Sequence, residues 1–314
     1  MQENISAVGL DKLCAPIPDG NDIFLTRSTG RPILTLFALP KAFKGHFGLI
    51  QRNAISQWVR LQPRPEIILF GDEEGTAEIA QEFDVRHVSE VRRNQYGTPL
   101  LSDLFEKAQT LASCNALCYV NADIMLLGDF MNAVQRVASW RDRFLVVGRR
   151  TNVDLDEPAS YVSPDRQARL LALVSQRGQL APVTWIDYFV FPRGLFPNFP
   201  PFAVGRPCWD VWFLGKARSS RVALVDASEV VLAVHQNHDY SHHPKGSQGV
   251  WYGEEAKQNR KLAGRNICTI ADATHKLTAD GIKARPFLLA VRTCWRQLLR
   301  ITQPIRYPLG LHRG

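Results

Sequence analysis

Ala116-Leu117-Cys118-Tyr119-Val120-Asn121-Ala122-Asp123 is an apolar run that breaks into an amide, an alanine and a carboxylate. A short run of this kind reads as a buried strand. In open α/β sheets, ligand chemistry lies just beyond the carboxyl ends of such strands. One acid and one amide carbonyl there suit a hard divalent cation carrying a diphosphate, because Mg²⁺ takes oxygen ligands and shares them with phosphates. The alternative for these three residues taken alone is a polar turn that ends a strand.

Working outward, the flanking sequence alternates strands with helices. Ile33–Phe37 reads as a strand, followed by a helix with Phe47, Ile50, Ala54, Trp58 and Leu61 at helical spacing. Pro65–Phe70 is a second strand ending at Gly71-Asp72, a short helix covers 74–83, and a third strand lies around Val85–Val88. The helix over 99–113 carries the stripe Leu100, Leu101, Leu104, Phe105, Ala108, Leu111 and Ala112, with Thr98 as expected cap and Pro99 at its first position. After Asp123 the pattern predicts a helix over Gly128–Trp140 and a strand over Phe144–Gly148.

Such alternation implies a doubly wound, mostly parallel sheet. Right-handed crossovers then bring all strand carboxyl ends to one edge, so Asp72 and Asp123 share a rim. The second half is less regular. A loop holds Asp154, Asp156, Glu157 and Pro158, a helix is expected over Asp165–Gln176, and a strand over Asp187–Phe191. The proline-rich stretch Pro192–Pro207 reads as a rigid loop, because its phenylalanines need burial. Cys208–Arg218 is expected to be helical, with strands at Val222–Val225 and Val230–Val234.

With 314 residues, 45% hydrophobic and 22% charged, the chain is long enough for one large α/β domain with elaborations. Its formal charge of +8 is not gathered into Lys/Arg blocks, which argues against a nucleic-acid partner and suits a phosphorylated substrate or an anionic membrane surface. No window approaches the ~20 apolar residues that span a bilayer. The first residues lack the charged-then-apolar pattern of a secretion signal. Cys14, Cys114, Cys118, Cys208, Cys268 and Cys294 have no metal or disulfide spacing and read as reduced packing residues of a cytoplasmic protein.

Several segments, in order, resemble a nucleotide-diphospho-sugar transferase, a family 2-like glycosyltransferase of the GT-A fold. Ile67–Thr76 resembles the strand, acid and turn that hold the nucleoside in that family. Tyr119–Asp123 resembles its D-x-D strand. Cys208–Ala217 with Arg221–Val225 resembles its acid, helix, basic residue and strand, and Val234-His235 its following histidine. The resemblance covers roughly residues 32–240. It departs from the pattern at Asn121, where the family has a first Asp, and at Leu101, where an Arg is common in the preceding helix.

The resemblance implies a lead-in over 1–30 and a GT-A-like catalytic domain over 31–265. Within that domain 31–150 is the nucleotide-binding half and 151–265 the acceptor half, and a helical extension follows over 266–314. It implies a nucleotide-sugar donor, a saccharide or lipid-linked acceptor, and Mn²⁺ or Mg²⁺. Asp123 is then the direct metal ligand, His235 a further ligand or a satisfied strand-end histidine, and Asn121 a second-sphere or ribose contact. Asp72 accepts from the base or ribose, or else caps a helix. Lys41 and Lys44 follow the first strand, near the nucleotide or merely solvated.

Asp210, between Trp209 and Trp212, is the candidate general base, which would make the reaction inverting. Asp187 would orient substrate hydroxyls, or be a buried hydrogen-bonded acid. The spacing in His235-x2-His238-x3-His242-His243 is also that of a zinc site, which makes a metal-dependent phosphoester hydrolase a rival reading. A catalytically silent nucleotide-sugar-binding module is a third, motivated by Asn121 and Leu101. The same segment, with Lys245 and Gly246, has the makings of a lid. Residues 286–303 form an amphipathic stretch with Arg292, Arg296 and Arg300 at spacing four. It is either a helix packed on the domain or a peripheral attachment to the anionic inner face of a membrane.

Overall fold

The computed structural model describes residues 32–155, 164–239 and 245–285. The first half contains β1 (Leu34–Ala38), α1 (Gly45–Trp58), β2 (Glu66–Phe70), α2 (Thr76–Glu82), β3 (Arg86–Val88), α3 (Leu101–Leu111), β4 (Ala116–Val120), β5 (Ile124–Gly128), α4 (Phe130–Trp140) and β6 (Phe144–Val147). There follow β7 (Arg150–Val153), α5 (Pro164–Arg177), β8 (Gln179–Leu180), β9 (Tyr188–Pro192), α6 (Trp209–Ser219), β10 (Ala223–Asp226) and β11 (Val231–Gln236). The last are α7 (Gly246–Tyr252), α8 (Glu254–Ala263), β12 (His275–Thr278) and β13 (Gly281–Ala284).

Nine strands make one sheet in the order β13-β12-β10-β6-β9-β4-β1-β2-β3. All run parallel except β9 and β13. This is the doubly wound, mostly parallel α/β class expected above. β1, β4, β6 and β10 are buried at every position, as strands covered on both faces must be. Alternate residues feed two cores. Leu36, Cys118 and Val120 meet Ala54 and Trp58 of α1 and Val134 of α4 on one face. Phe37, Leu117 and Tyr119 meet Phe105 of α3 and Phe213 of α6 on the other. The aromatics of the proline-rich loop join the second core, with Phe199 stacked on Phe105 at 4.0 Å between ring centroids.

Four differences from the expectations have physical reasons. First, the chain does not pass from Asp123 straight to a helix. Ile124–Gly128 forms β5, and a second sheet runs β5-β11-β7-β8. Gly128, at φ +64, ends β5 in a conformation that side chains resist. Second, α3 starts at Leu101 without a side-chain cap, and Thr98 does not cap it. The amides of Tyr96 and Thr98 instead donate to Asn94 Oδ1 at 2.9 and 3.0 Å, which closes a turn ahead of the helix.

Third, residues 275–284 are not helical. They form the hairpin β12–β13, in which Thr278 pairs with Gly281 across a two-residue turn at the sheet's edge. Fourth, residue 150 lies inside β7, and β9 inserts between β4 and β6, so the two expected halves share one sheet. Residues 1–30, the acids Asp156 and Glu157, His242 and His243, and the stretch 286–303 lie outside the described residues. Cys114, Cys118, Cys208 and Cys268 are buried and outside any disulfide among the described residues, the packing role expected of them. No helix among the described residues is long and apolar enough to cross a membrane.

Candidate functional site

β1, β2 and β4 end on one edge, and the chain turns sharply after β4, where the amide of Ile124 donates to the carbonyl of Asn121 at 3.1 Å. Asp123 sits in that turn. β11 runs antiparallel to β5 with His235 opposite Ile124, so the pairing register places His235 beside Asp123. His238 follows, and its Nε2 lies 3.0 Å from Asp123 Oδ2, while His235 Nε2 lies 3.8 Å from the same oxygen. One ligand atom from each of the three residues falls within a 4.8 Å cluster.

Two further atoms point to a missing partner. Asp123 Oδ1 and His235 Nδ1 are buried and make no hydrogen bond, a state that is costly unless something else satisfies it. Burial alone would raise the Asp123 carboxyl. The hydrogen bond with His238 and the charges of His235, His238 and Lys41 outweigh that and hold it well below the usual carboxylate range. Burial, then Arg150, push His235 down to about 4, so its imidazole is neutral at pH 7, the form that binds metals. An ionised carboxylate with an unpaired oxygen and a neutral imidazole, which offers one ring-nitrogen lone pair, fit a divalent cation.

Asn121 does something other than ligate. Its Nδ2 donates to Asp187 Oδ1 at 2.7 Å, and its main-chain amide donates to the Asp187 carbonyl at 2.9 Å. Arg150 donates to the other Asp187 oxygen at 2.9 Å and to Asn152 Oδ1 at 2.9 Å, while its guanidinium lies 4.9 Å from the Trp185 ring. Asp187 is therefore a buried acid held on both oxygens, directly before β9. The second carboxylate of the site is not the first position of the Asn121–Asp123 motif; it comes from across the sheet.

Asp210 stands in the first turn of α6, after Cys208, which holds φ +83. Burial and the nearby Asp187 push its carboxyl up to about 7. The flanking tryptophans are packing residues. Trp209 lies edge-on to Tyr119 at 5.2 Å, and Trp212 packs on Phe199 at 5.1 Å. Both help keep the Asp210 surroundings dry.

Lys41 lies above the Phe47 ring at 4.4 Å, and burial lowers its pKa while the charge of Asp123 opposes that. Lys44 instead makes an exposed pair with Glu74 at 2.5 Å. Asp72 shares the rim as expected, two strands from β4, but is exposed and bonded to Arg93. It lines a groove of about 390 Å³ with Ser89, Glu90, Arg92, Arg93 and Lys107. It does not cap a helix, because α2 starts at Thr76 behind Gly75.

Sequence reasoning therefore brought together Asp123, His235, Asp187, Asp210 and Lys41. The structure leaves Asp72 exposed beside Arg93, two strands from β4, and turns Asn121 toward Asp187. Arg93 and Arg150 went unnoticed, since an arginine in a loop or at a strand start carries no periodic signal. His238 was visible only as one of a run of histidines.

No family model and no curated protein matches the chain. Among solved structures it is similar to glucosyl-3-phosphoglycerate synthase from Mycobacterium tuberculosis in complex with phosphoglyceric acid. That match has TM-score 0.46 and 14% identity, over 75% of this chain and 80% of that one. The same enzyme with Mn²⁺, UDP and phosphoglyceric acid gives 0.43 and 14%, over 74% and 79%. S. aureus TarS gives 0.45 and 9%, over 74% of this chain and 39% of that one. Likeness at this level assigns no activity; the strand order and the residues at the rim are what the chain offers for that.

Proposed function

We propose that this protein is a glycosyltransferase that moves a sugar from a nucleoside-diphosphate donor to an acceptor hydroxyl, with a divalent cation at the sheet's rim. The observation that carries the reading is the cluster of Asp123, His235 and His238, with two buried, unpartnered ligand atoms, at the carboxyl edge of a parallel sheet. Asp123, His235 and His238 would hold the cation. Bound there, Mn²⁺ or Mg²⁺ supplies Lewis-acid neutralisation of a departing diphosphate.

The chain's own groups perform the rest. Lys41 brings a positive charge to the side of Asp123 and so favours a phosphate beside it. Asp187, locked by Asn121 and Arg150, presents a fixed edge to sugar hydroxyls. Asp210, poised near neutrality, accepts the proton of the attacking hydroxyl, as a base with pKa near the working pH does best. A base on the face opposite the leaving group gives inversion. Asp72 and the groove beside it take the base or ribose, with Arg93 set against the same carboxylate. The division into nucleotide and acceptor halves follows this placement, with a saccharide or lipid-linked acceptor on the Asp210 side.

Calorimetric titration of UDP- and GDP-sugars, with and without Mn²⁺, tests the reading alongside product analysis. Cation-dependent donor binding with turnover supports it. Donor binding without turnover turns the protein into a binding module, a reading that the diversion of Asn121 to Asp187 favours. Release of phosphate from simple esters without donor binding establishes the hydrolase.

A further inference from the structure

Gln236, the last residue of β11, is a carboxamide with no exposed surface. Both of its N–H donors are used, and its carbonyl oxygen accepts a hydrogen bond. Its Nε2 donates to the carbonyl of Ile50 in α1 at 2.7 Å and to the carbonyl of Asp123 at 3.2 Å. Its Oε1 accepts from Asn53 Nδ2, also in α1, at 2.8 Å. Its neighbour along β11 is His235, whose side chain leaves the strand on the opposite face.

A second carboxamide extends the arrangement. Gln51, 2% exposed, accepts from the Lys41 amide at 2.6 Å and donates to the Lys41 carbonyl at 2.9 Å. One turn of α1 therefore grips the backbone beneath Lys41 through Gln51. Through Asn53 and Gln236 it grips the backbone of Asp123 and the strand that carries His235. A fully satisfied buried polar network fixes geometry more sharply than apolar packing does, because each member has one arrangement that leaves nothing unpaired.

We infer that Gln236 is a positioning residue that sets the separation of Asp123 and His235, and so the affinity of the rim for its cation, without touching the cation. The inference rests on the cation reading above. Groups that orient metal ligands typically change metal affinity about 10–100-fold when removed.

The test is titration of the full chain with Mn²⁺, reading the electron paramagnetic resonance signal of the free ion, together with thermal unfolding. Gln236→Met keeps the volume and removes the donors. It is expected to weaken Mn²⁺ binding about 10–100-fold. Asn53→Leu, which removes the donor to Gln236 Oε1 but leaves both Gln236 donors in place, is expected to shift affinity in the same direction by a smaller factor. Arg136→Ala, which removes a bond to the Thr278 carbonyl at the far end of the sheet, lowers the melting temperature and leaves Mn²⁺ affinity unchanged.

A folded Gln236→Met that binds Mn²⁺ within twofold of wild type overturns the inference and leaves the cation reading standing. If that variant fails to fold, unchanged affinity in Asn53→Leu overturns it. Wild-type protein that takes up no Mn²⁺ overturns both.

Discussion

Asn121→Asp restores a carboxylate where the resembled family has one, and the structure says that it will harm this protein. The new group would stand where Asn121 Nδ2 now donates to Asp187 Oδ1 at 2.7 Å. Two like charges at about 3 Å repel by roughly 5–6 kcal/mol at an effective dielectric of 20. Arg150 already binds Asp187 and offsets part of this. The molecule's escape is to trap a proton between the two carboxyls, which restores a hydrogen bond and limits the penalty.

That limit is about 1.4 kcal/mol for each pH unit above the unfolded carboxylate value of about 3.9, or about 4 kcal/mol at pH 7. The sign follows from a carboxyl whose folded value is raised. The penalty is absent near pH 4, grows as pH rises, and levels off above the raised value. At about 2 °C per kcal/mol, the low end for domains of this size class, the variant should melt about 8 °C below wild type at pH 7. The gap should nearly close by pH 4.5.

Thermal unfolding of both proteins at pH 4.5, 6 and 7.5, each with and without Mn²⁺, reads this directly. Were Asn121 a weakened cation ligand, the added charge would tighten Mn²⁺ binding and raise the melting temperature in its presence. A variant that binds Mn²⁺ more tightly and shows no pH-dependent loss of stability would refute the assignment of Asn121 to Asp187.

Further outcomes are expected. Asp123→Ala should abolish cation-dependent donor binding in calorimetry, and intact binding would remove Asp123 from the ligand set. Asp210→Asn should lower the rate by about 10²–10⁴-fold while sparing donor binding. The wild-type rate should fall tenfold per pH unit below about 7, where Asp210 takes up its proton. Because that carboxyl is raised on folding, ionising it destabilises the folded state progressively from about pH 4 to about 7. Asp210→Asn should therefore unfold at higher temperature than wild type at pH 8, and the advantage should vanish at pH 4. Finally, a site with two imidazoles and one carboxylate favours Zn²⁺ and Mn²⁺ over Mg²⁺, which prefers oxygen donors. Competition titrations that rank Mg²⁺ first would exclude the histidines as ligands.

The sheet was legible because its strands are buried on both faces. Runs such as Leu34–Ala38 and Ala116–Val120 announce themselves without tertiary information, and the stripe of α3 does the same. β5 was not legible. Ile124–Gly128 is short and uniformly apolar, and only β11, more than a hundred residues later, makes it a strand. The hairpin at 275–284 mixes charged and apolar residues on an edge, where exposure erases the pattern. Its one signal was Asp280-Gly281 at the turn.

The same division runs through the site. Asp123 and His235 stood out as candidates because each lies near a strand end, and strand ends are where a parallel sheet puts chemistry. Matching Asn121 to a motif position assumed that a residue's role travels with its place in the pattern. Its role is instead set by what faces it, and what faces it is Asp187, brought across by the antiparallel strand β9. An aspartate at 121 would meet a like charge there, whereas an asparagine donates. Just past β11, His238 reaches Asp123 Oδ2. If the rim holds a cation as proposed, an imidazole there in place of a second carboxylate leaves one negative charge fewer and offers a nitrogen donor. His235 beside Asp123 is visible only once the β5–β11 register is known.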